Sequence, residues 1–268
     1  MKKLGGTLFF AIHFFFFIST LQSLATQAPN TFTIGETFAG EELHYELDFW
    51  LFKGFAEVVL SFSKSNDKGR YLITLRGKTK GPLSYALRHR EDFYTAVVEE
   101  IEDGKKLRTL YYEENIKIGS KIRRNIYIFD HAKSTWIEKS FKNGLQRKEK
   151  NSPIPPATDY NDFLTAAYNF RYGVYGSVTR GRNYYVPVFP RKGITHYEVK
   201  VAPHEFFRSP NERVFFVEVK VDPEIINSPH GVIEGYLSDG LYPIEGLIRD
   251  VVFFGDIRGR LTKRVKID

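Results

Sequence analysis

Two short runs set an imidazole beside carboxylates at alternate positions. His44, Glu46 and Asp48 fall at i, i+2 and i+4 of "LHYELDFWLF", and His196, Glu198 and Lys200 repeat the spacing in "THYEVKV". On a β-strand that spacing puts each trio on one face, and imidazole with carboxylate is a donor set zinc accepts when two strands converge. A solvated strand face carries the same pattern, because every second residue there is polar, and we read both runs that way. Ser61-Phe-Ser-Lys64 has the Ser-x-x-Lys spacing of a serine nucleophile, but it lies within an alternating, strand-like run, and we read it as coincidence. There is no Gly-x-Ser-x-Gly elbow, no His-Glu-x-x-His helix and no Gly-rich phosphate loop. With no cysteine in the chain, a thiolate nucleophile is impossible. These residues predict no catalysis, no metal site and no cofactor.

Candidate binding residues gather instead in "DYNDFLTAAYNFRYG", 159–173. Phe163, Ala166, Ala167 and Phe170 recur at helical spacing, flanked by Tyr160 and Leu164. Asn161, Asp162, Thr165 and Asn169 take the opposite side, which the pattern marks as wet. Thr158 or Asp159 is the predicted N-cap and Gly173 the C-terminal stop. Arg171 ends the helix on its apolar side. It either pairs with a fixed carboxylate such as Asp239 or meets an anionic head group, with Phe163, Tyr168 and Phe170 lining the space for an apolar tail. A second candidate is the C-terminal "IRGRLTKRVKI", where strict alternation places Arg258, Arg260, Arg264 and Lys266 on one face. Charges there protect a terminal strand from edge pairing or meet phosphate-bearing lipid or polysaccharide. "RHR" (88–90) and "KIRR" (121–124) extend the patch if folding brings them near.

The elements that position these residues are mostly strands. From Glu41 onward, apolar and polar residues alternate in runs separated by turn residues. The first returns on itself at Lys53-Gly54, and further strands are predicted at 92–101, 106–113, 121–130 and 135–142. After the helix they resume at 183–189, 195–201, 213–221, 231–238, 243–254 and 257–267. A dozen antiparallel strands in one chain predict a mainly β fold, a curled sheet or open β-barrel-like domain with one helix packed near mid-chain. Adjacent aromatic pairs, such as Phe206-Phe207 and Phe253-Phe254, put one ring on either side of that sheet.

The first 25 residues read as a cleaved signal peptide. Lys2 and Lys3 precede an apolar run, and "SLA" ends in Ala25 with small residues at −3 and −1. The expected destination is the periplasm, which makes nucleic acid an unlikely partner of the +7 chain. Residues 26–40 read as an N-terminal extension. Residues 41–268 read as one β-rich domain, large enough to bury roughly 70–75% of its unfolded surface. Its two halves meet at the proline-rich loop 151–158.

"DFLTAAYNFR" (162–171) resembles the helix motif of the bacterial exported family called domain of unknown function 3108, which has an Asp-Leu-Leu-Ser-Ala-like run leading into Tyr-x-x-Arg. Phe163 and Thr165 replace the usual Leu and Ser. "AGEELHYELDFWLFKGFAEVVLSF" (39–62) is similar to the family's opening hairpin. "GYLSDGLYPIEG" with "GDIRGRL" is similar to its closing strands, with a single Asp before the glycine. The resemblance implies an exported, mostly β domain with a helix, distantly akin to half-barrel lipoprotein carriers, and no established activity. The expected function is a non-catalytic periplasmic binding or carrier module for an amphiphile, with peripheral membrane contact open to it. The alternative is a structural or interaction component of the envelope with a packed core, and a hydrolase or metalloenzyme ranks last.

Overall fold

Apolar–polar alternation folds into fifteen strands in the computed structural model, which describes residues 32–268 apart from 192, 211, 227, 252–254 and 268. The predicted leader, residues 26–31 of the predicted extension and Phe253 and Phe254 lie outside the described residues. In the first half β1 (Glu41–Phe49), β2 (Phe52–Lys64), β3 (Arg70–Thr79), β4 (Glu91–Ile101), β5 (Lys106–Ile118), β6 (Lys121–Asp130), β7 (Thr135–Lys142) and β8 (Leu145–Pro153) form a continuous meander. The second half holds β9 (Asn183–Arg191), β10 (Ile194–Val201), β11 (Phe206–Ser209), β12 (Glu212–Lys220), β13 (Val232–Ser238), β14 (Pro243–Val251) and β15 (Gly255–Lys266). All pair antiparallel in one sheet, ordered β8-β7-β6-β5-β4-β3-β2-β1-β15-β14-β13-β12-β10-β9, with β11 beside β12.

The first and last strands therefore meet at the middle of the sheet, from Glu41↔Lys266 to Phe49↔Ile257. The two edges, β8 and β9, follow one another in sequence. The sheet curls without closing into a barrel. Phe189 of β9 reaches across to Tyr127 of β6, ring centres 4.8 Å apart, and to Trp136 of β7 at 5.9 Å. Each edge is blunted against further pairing: β8 reads Gln-Arg-Lys-Glu-Lys along its middle, and β9 carries Pro187 and Pro190.

Between the edges lies α3 (Phe163–Tyr172), the predicted helix. Three shorter helical segments accompany it: α1 (Ile34–Phe38), α2 (Gly81–Ala86) and α4 (Pro223–Ile226). The α1 segment corrects the domain boundary. Thr33 and Glu36 form a capping box, and Ile34 and Phe38 are buried against the sheet, so residues from 33 onward belong to the core rather than to an extension. The first hairpin also differs. Phe49 pairs with Phe52, which makes Trp50-Leu51 the turn, while Gly54 uses its positive φ inside β2, where its N–H meets Asp48 Oδ1 at 2.9 Å.

β6 pairs with β5 only from Tyr111 onward, so the outer side of Leu107 and Thr109 has no neighbouring strand. Side chains replace it. Asn169 of α3 accepts from the Leu107 N–H at 2.8 Å and donates to its carbonyl at 2.9 Å, as a paired strand would. Asn161 Oδ1 takes the Thr109 N–H at 3.3 Å. Replacing Asn169 by Ala should cost about 1–3 kcal/mol of stability, because both Leu107 groups are left buried and unpaired. Ala167→Gln, at the helix's exposed position, should stay within about 0.5 kcal/mol. Urea denaturation of the two variants tests the contrast.

Candidate functional site

Asp162 caps α3, its Oδ1 accepting from Leu164 N at 2.8 Å and Thr165 N at 3.2 Å, and Gly173 ends it with φ 90°. Almost every side of the helix is buried. Leu164 and Tyr168 pack into the core of the first half, where Tyr168 sits 4.9 Å from the Phe38 ring and 4.8 Å from Phe62. Ala166 and Phe170 pack into the second half, with Tyr184 5.3 Å from Phe170 and Val186, Val199 and Val217 behind it. Phe163, half-buried, meets Tyr94 and Tyr112 edge-on. The face expected to be wet is not: Asn161, Asp162, Thr165 and Asn169 are buried against β5. Polar residues lie there because they satisfy a strand's unpaired backbone, a need set by the relative lengths of β5 and β6.

Thr109 of β5 completes a closed polar cluster. Asp162 Oδ2 lies 2.8 Å from Thr109 Oγ1 and 2.5 Å from Thr165 Oγ1, and the Asp162 N–H donates back to Thr109 Oγ1 at 3.1 Å. Burial raises the Asp162 carboxyl above its ordinary range, opposed by those hydroxyl and backbone donors.

Arg171 of α3 is buried with Glu41 of β1, side chains 5% and 3% exposed. The pairing is bidentate, Nη1–Oε1 2.7 Å and Nη2–Oε2 2.9 Å, and Nε donates to the Leu241 carbonyl at 2.9 Å. The guanidinium also lies over the rings of Phe38 at 4.7 Å and Tyr168 at 4.9 Å. The fixed carboxylate is thus Glu41 rather than Asp239, which is exposed and 3.8 Å from Arg213. Phe163, Tyr168, Phe170 and Arg171 share one helix, but they point into packed surroundings rather than into a common hollow.

The chain matches the family described as "Protein of unknown function (DUF3108)" over residues 42–262. It belongs to that family. No curated protein matches it. Among solved structures, the beta-barrel-like protein of domain of unknown function DUF1849 from Brucella abortus is similar at 13% identity, over 86% of this chain and 99% of its own, with a TM-score of 0.48. In this DUF3108 chain the opening motif includes β1 and the closing motif includes β15, the strands that pair at mid-sheet, and the helix motif supplies Arg171.

The basic face of β15 does not survive as one face. Lys263 stands opposite His44 and Leu261 opposite Tyr45, leaving Thr262 as an extra residue in a bulge. The bulge flips the side chains beyond it. Arg264 and Lys266 lie on the inner face, Arg264 3.6 Å from Glu41 and 4.4 Å over the Tyr242 ring, Lys266 Nζ 3.0 Å from the Thr37 carbonyl. Arg258 and Arg260 lie on the outer face, 3.3 Å from Glu245 and 2.7 Å from Asp48. All four have partners.

His44 and His196 do not converge. β1 and β10 stand five strand spacings apart in the sheet order, roughly 24 Å along its surface. Among the described residues no group of three or more His, Asp or Glu is placed to hold a metal ion. Ser61 Oγ is 2.7 Å from Thr74 Oγ1 across the strands. "RHR" lies against the turn that precedes "KIRR", where the Gly119 N–H donates to the Arg88 carbonyl at 2.7 Å.

The raised Asp162 carboxyl gives a signed pH dependence. The folded state holds that proton more tightly than the unfolded chain does. Its share of stability is therefore largest below the ordinary aspartate pKa and is lost as pH rises through the higher folded value. The stability gap between the parent and Asp162→Asn should narrow as pH rises across that window, measured by denaturation at a series of pH values. A gap that widens contradicts the burial argument.

Proposed function

We propose that the protein is a non-catalytic component of the cell envelope that acts through its outer surface, as a structural or interaction module with a packed interior. The observation that carries this reading is the position of α3. It occupies the space inside the curled sheet where an amphiphile's tail would lie, and its one charged group is held by Glu41. Two open surface clefts are lined by neither Phe163 nor Phe170. The larger, about 520 Å³, is bordered by Glu36, Glu41 and Glu42 as well as Lys64 and Lys266, a mixed lining that gives an anionic head group little preference. The leader-like first 25 residues support a periplasmic site of action. The blunted β8 and β9 edges argue against recruitment of partners by strand addition.

Native mass spectrometry tests this against the carrier reading. Residues 26–268, purified from a bacterial periplasm without detergent, should give the bare protein mass. They should also take up none of the phospholipid offered in excess as detergent-free monomers. A stoichiometric co-purifying amphiphile, identified after solvent extraction, contradicts the proposal.

A further inference from the structure

An antiparallel meander gathers every second connection at the same end. The turn at 50–51, the α2 connection 80–90, the turn at 119–120 and the turn at 143–144 therefore form one rim along β1–β8. They are tied to one another and to the sheet. Leu83 and Leu87 of the α2 connection pack with Phe49 and Phe55. Lys80 N donates to the Phe55 carbonyl at 2.6 Å, and Gly119 N to that of Arg88 at 2.7 Å. Asn143 exchanges two hydrogen bonds with the Ile122 backbone, both 2.8 Å.

This rim exposes large apolar side chains that the fold leaves unused. Trp50 is 71% exposed, Leu51 72% and Tyr85 75%, with Phe52, Ile122 and Leu145 also exposed beside them. The opposite connections of the same meander, 65–69, 102–105 and 131–134, expose no large apolar side chain. Trp50 also sits at φ 47°, a first turn position that favours glycine, asparagine or aspartate. Neither packing nor turn chemistry accounts for a tryptophan there.

The charges of the rim are one-sided. Its carboxylates Asp48, Glu57, Glu91 and Asp92 are each held in an ion pair, and half-buried Glu46, against Gly54, is the exception. Arg88, Lys121, Arg123 and Lys142 are exposed and form no ion pair with the described residues. Aromatic and aliphatic tips flanked by unneutralised cations fit an interface of apolar chains beneath anionic head groups.

We propose that this rim docks the protein on an anionic phospholipid bilayer, Trp50 and Leu51 entering the interface and Arg88, Lys121, Arg123 and Lys142 meeting head-group phosphates. It rests on the reading that the protein acts through its surface, and names the surface and its partner. Two signals, apolar and electrostatic, act together, so binding is reversible and salt-sensitive.

The test uses residues 26–268, which carry every described residue, with vesicles of phosphatidylethanolamine and phosphatidylglycerol (3:1) or of phosphatidylcholine alone. The chain has two tryptophans. Trp136 is buried, so a blue shift in emission on binding reports Trp50. Co-sedimentation with the anionic vesicles is expected, with a blue shift. Binding should weaken at least about tenfold in the exposed-site variant Trp50→Ser/Leu51→Ser and in Arg88→Glu/Lys121→Glu/Arg123→Glu. It should fade in about 0.5 M NaCl, where the screening length is roughly 4 Å. No co-sedimentation, equal binding to phosphatidylcholine, or binding unchanged in the tip variant overturns the proposal. So does a concentration-dependent dimer that the tip variant abolishes, which would assign the rim to a second copy. A bare mass with no vesicle binding defeats this proposal alone. A bound amphiphile with vesicle binding intact defeats only the packed-interior part of the proposed function.

Discussion

A guanidinium and a carboxylate buried together are each expensive to remove from water, several kcal/mol apiece, and are tolerated only when geometry is good on both sides. Arg171 and Glu41 meet that condition with two parallel hydrogen bonds, a third to the Leu241 carbonyl and two rings over the guanidinium. The residues joined belong to three distant parts of the chain. Arg171 ends the helix between the sheet edges, Glu41 begins the first strand at the mid-sheet seam, and Leu241 lies between β13 and β14. The pair fixes how the helix enters the sheet, and the remaining packing follows from that placement.

A fifteen-stranded sheet could close on itself by pairing β8 with β9. Here the connection between them becomes the closing element instead. The loop and α3 cover β5's unpaired backbone with Asn161 and Asn169, and the Phe189 N–H of β9 donates to the Asn161 carbonyl at 2.9 Å. The helix therefore does for the interior what further strand pairing would do for a barrel. It has two apolar faces, one for each half, and a polar face for the backbone between them. A ligand cavity is the alternative use of that space, and the aromatic rings of both halves fill it.

Much of this was legible in the sequence because it is local. Alternation marks the strands, and apolar spacing with Gly173 marks the helix and its end, whereas the N-cap is Asp162 rather than the expected Thr158 or Asp159, because the chain stays extended until Asp162 reaches Thr109. What was not legible depends on distant partners. Asn169 and Thr165 look solvent-facing until β5 outruns β6. Glu41, 130 residues from Arg171, is one acidic residue among many. Thr262 carries no compositional sign of a bulge, yet it divides the four basic residues between two faces. Gly54 drew the turn to itself because glycine is the usual mark of one, whereas Phe49–Phe52 pairing put Trp50 there. One local signal was present and unread: Thr33 and Glu36 have capping-box spacing, and they start the helix that brings Phe38 onto Arg171.

The central claim, that the Arg171–Glu41 pair holds the helix in the sheet as a unit, is tested most directly by a double-mutant cycle on urea-unfolding free energies. Arg171→Met alone should lose about 3–5 kcal/mol, since it leaves a buried carboxylate with only the longer contact to Arg264, and Glu41→Met should lose a similar amount. The double variant should lose far less than the sum, with a coupling of at least about 2 kcal/mol. Losses that simply add would contradict the account, and Arg171 would then be a residue whose burial serves something other than Glu41.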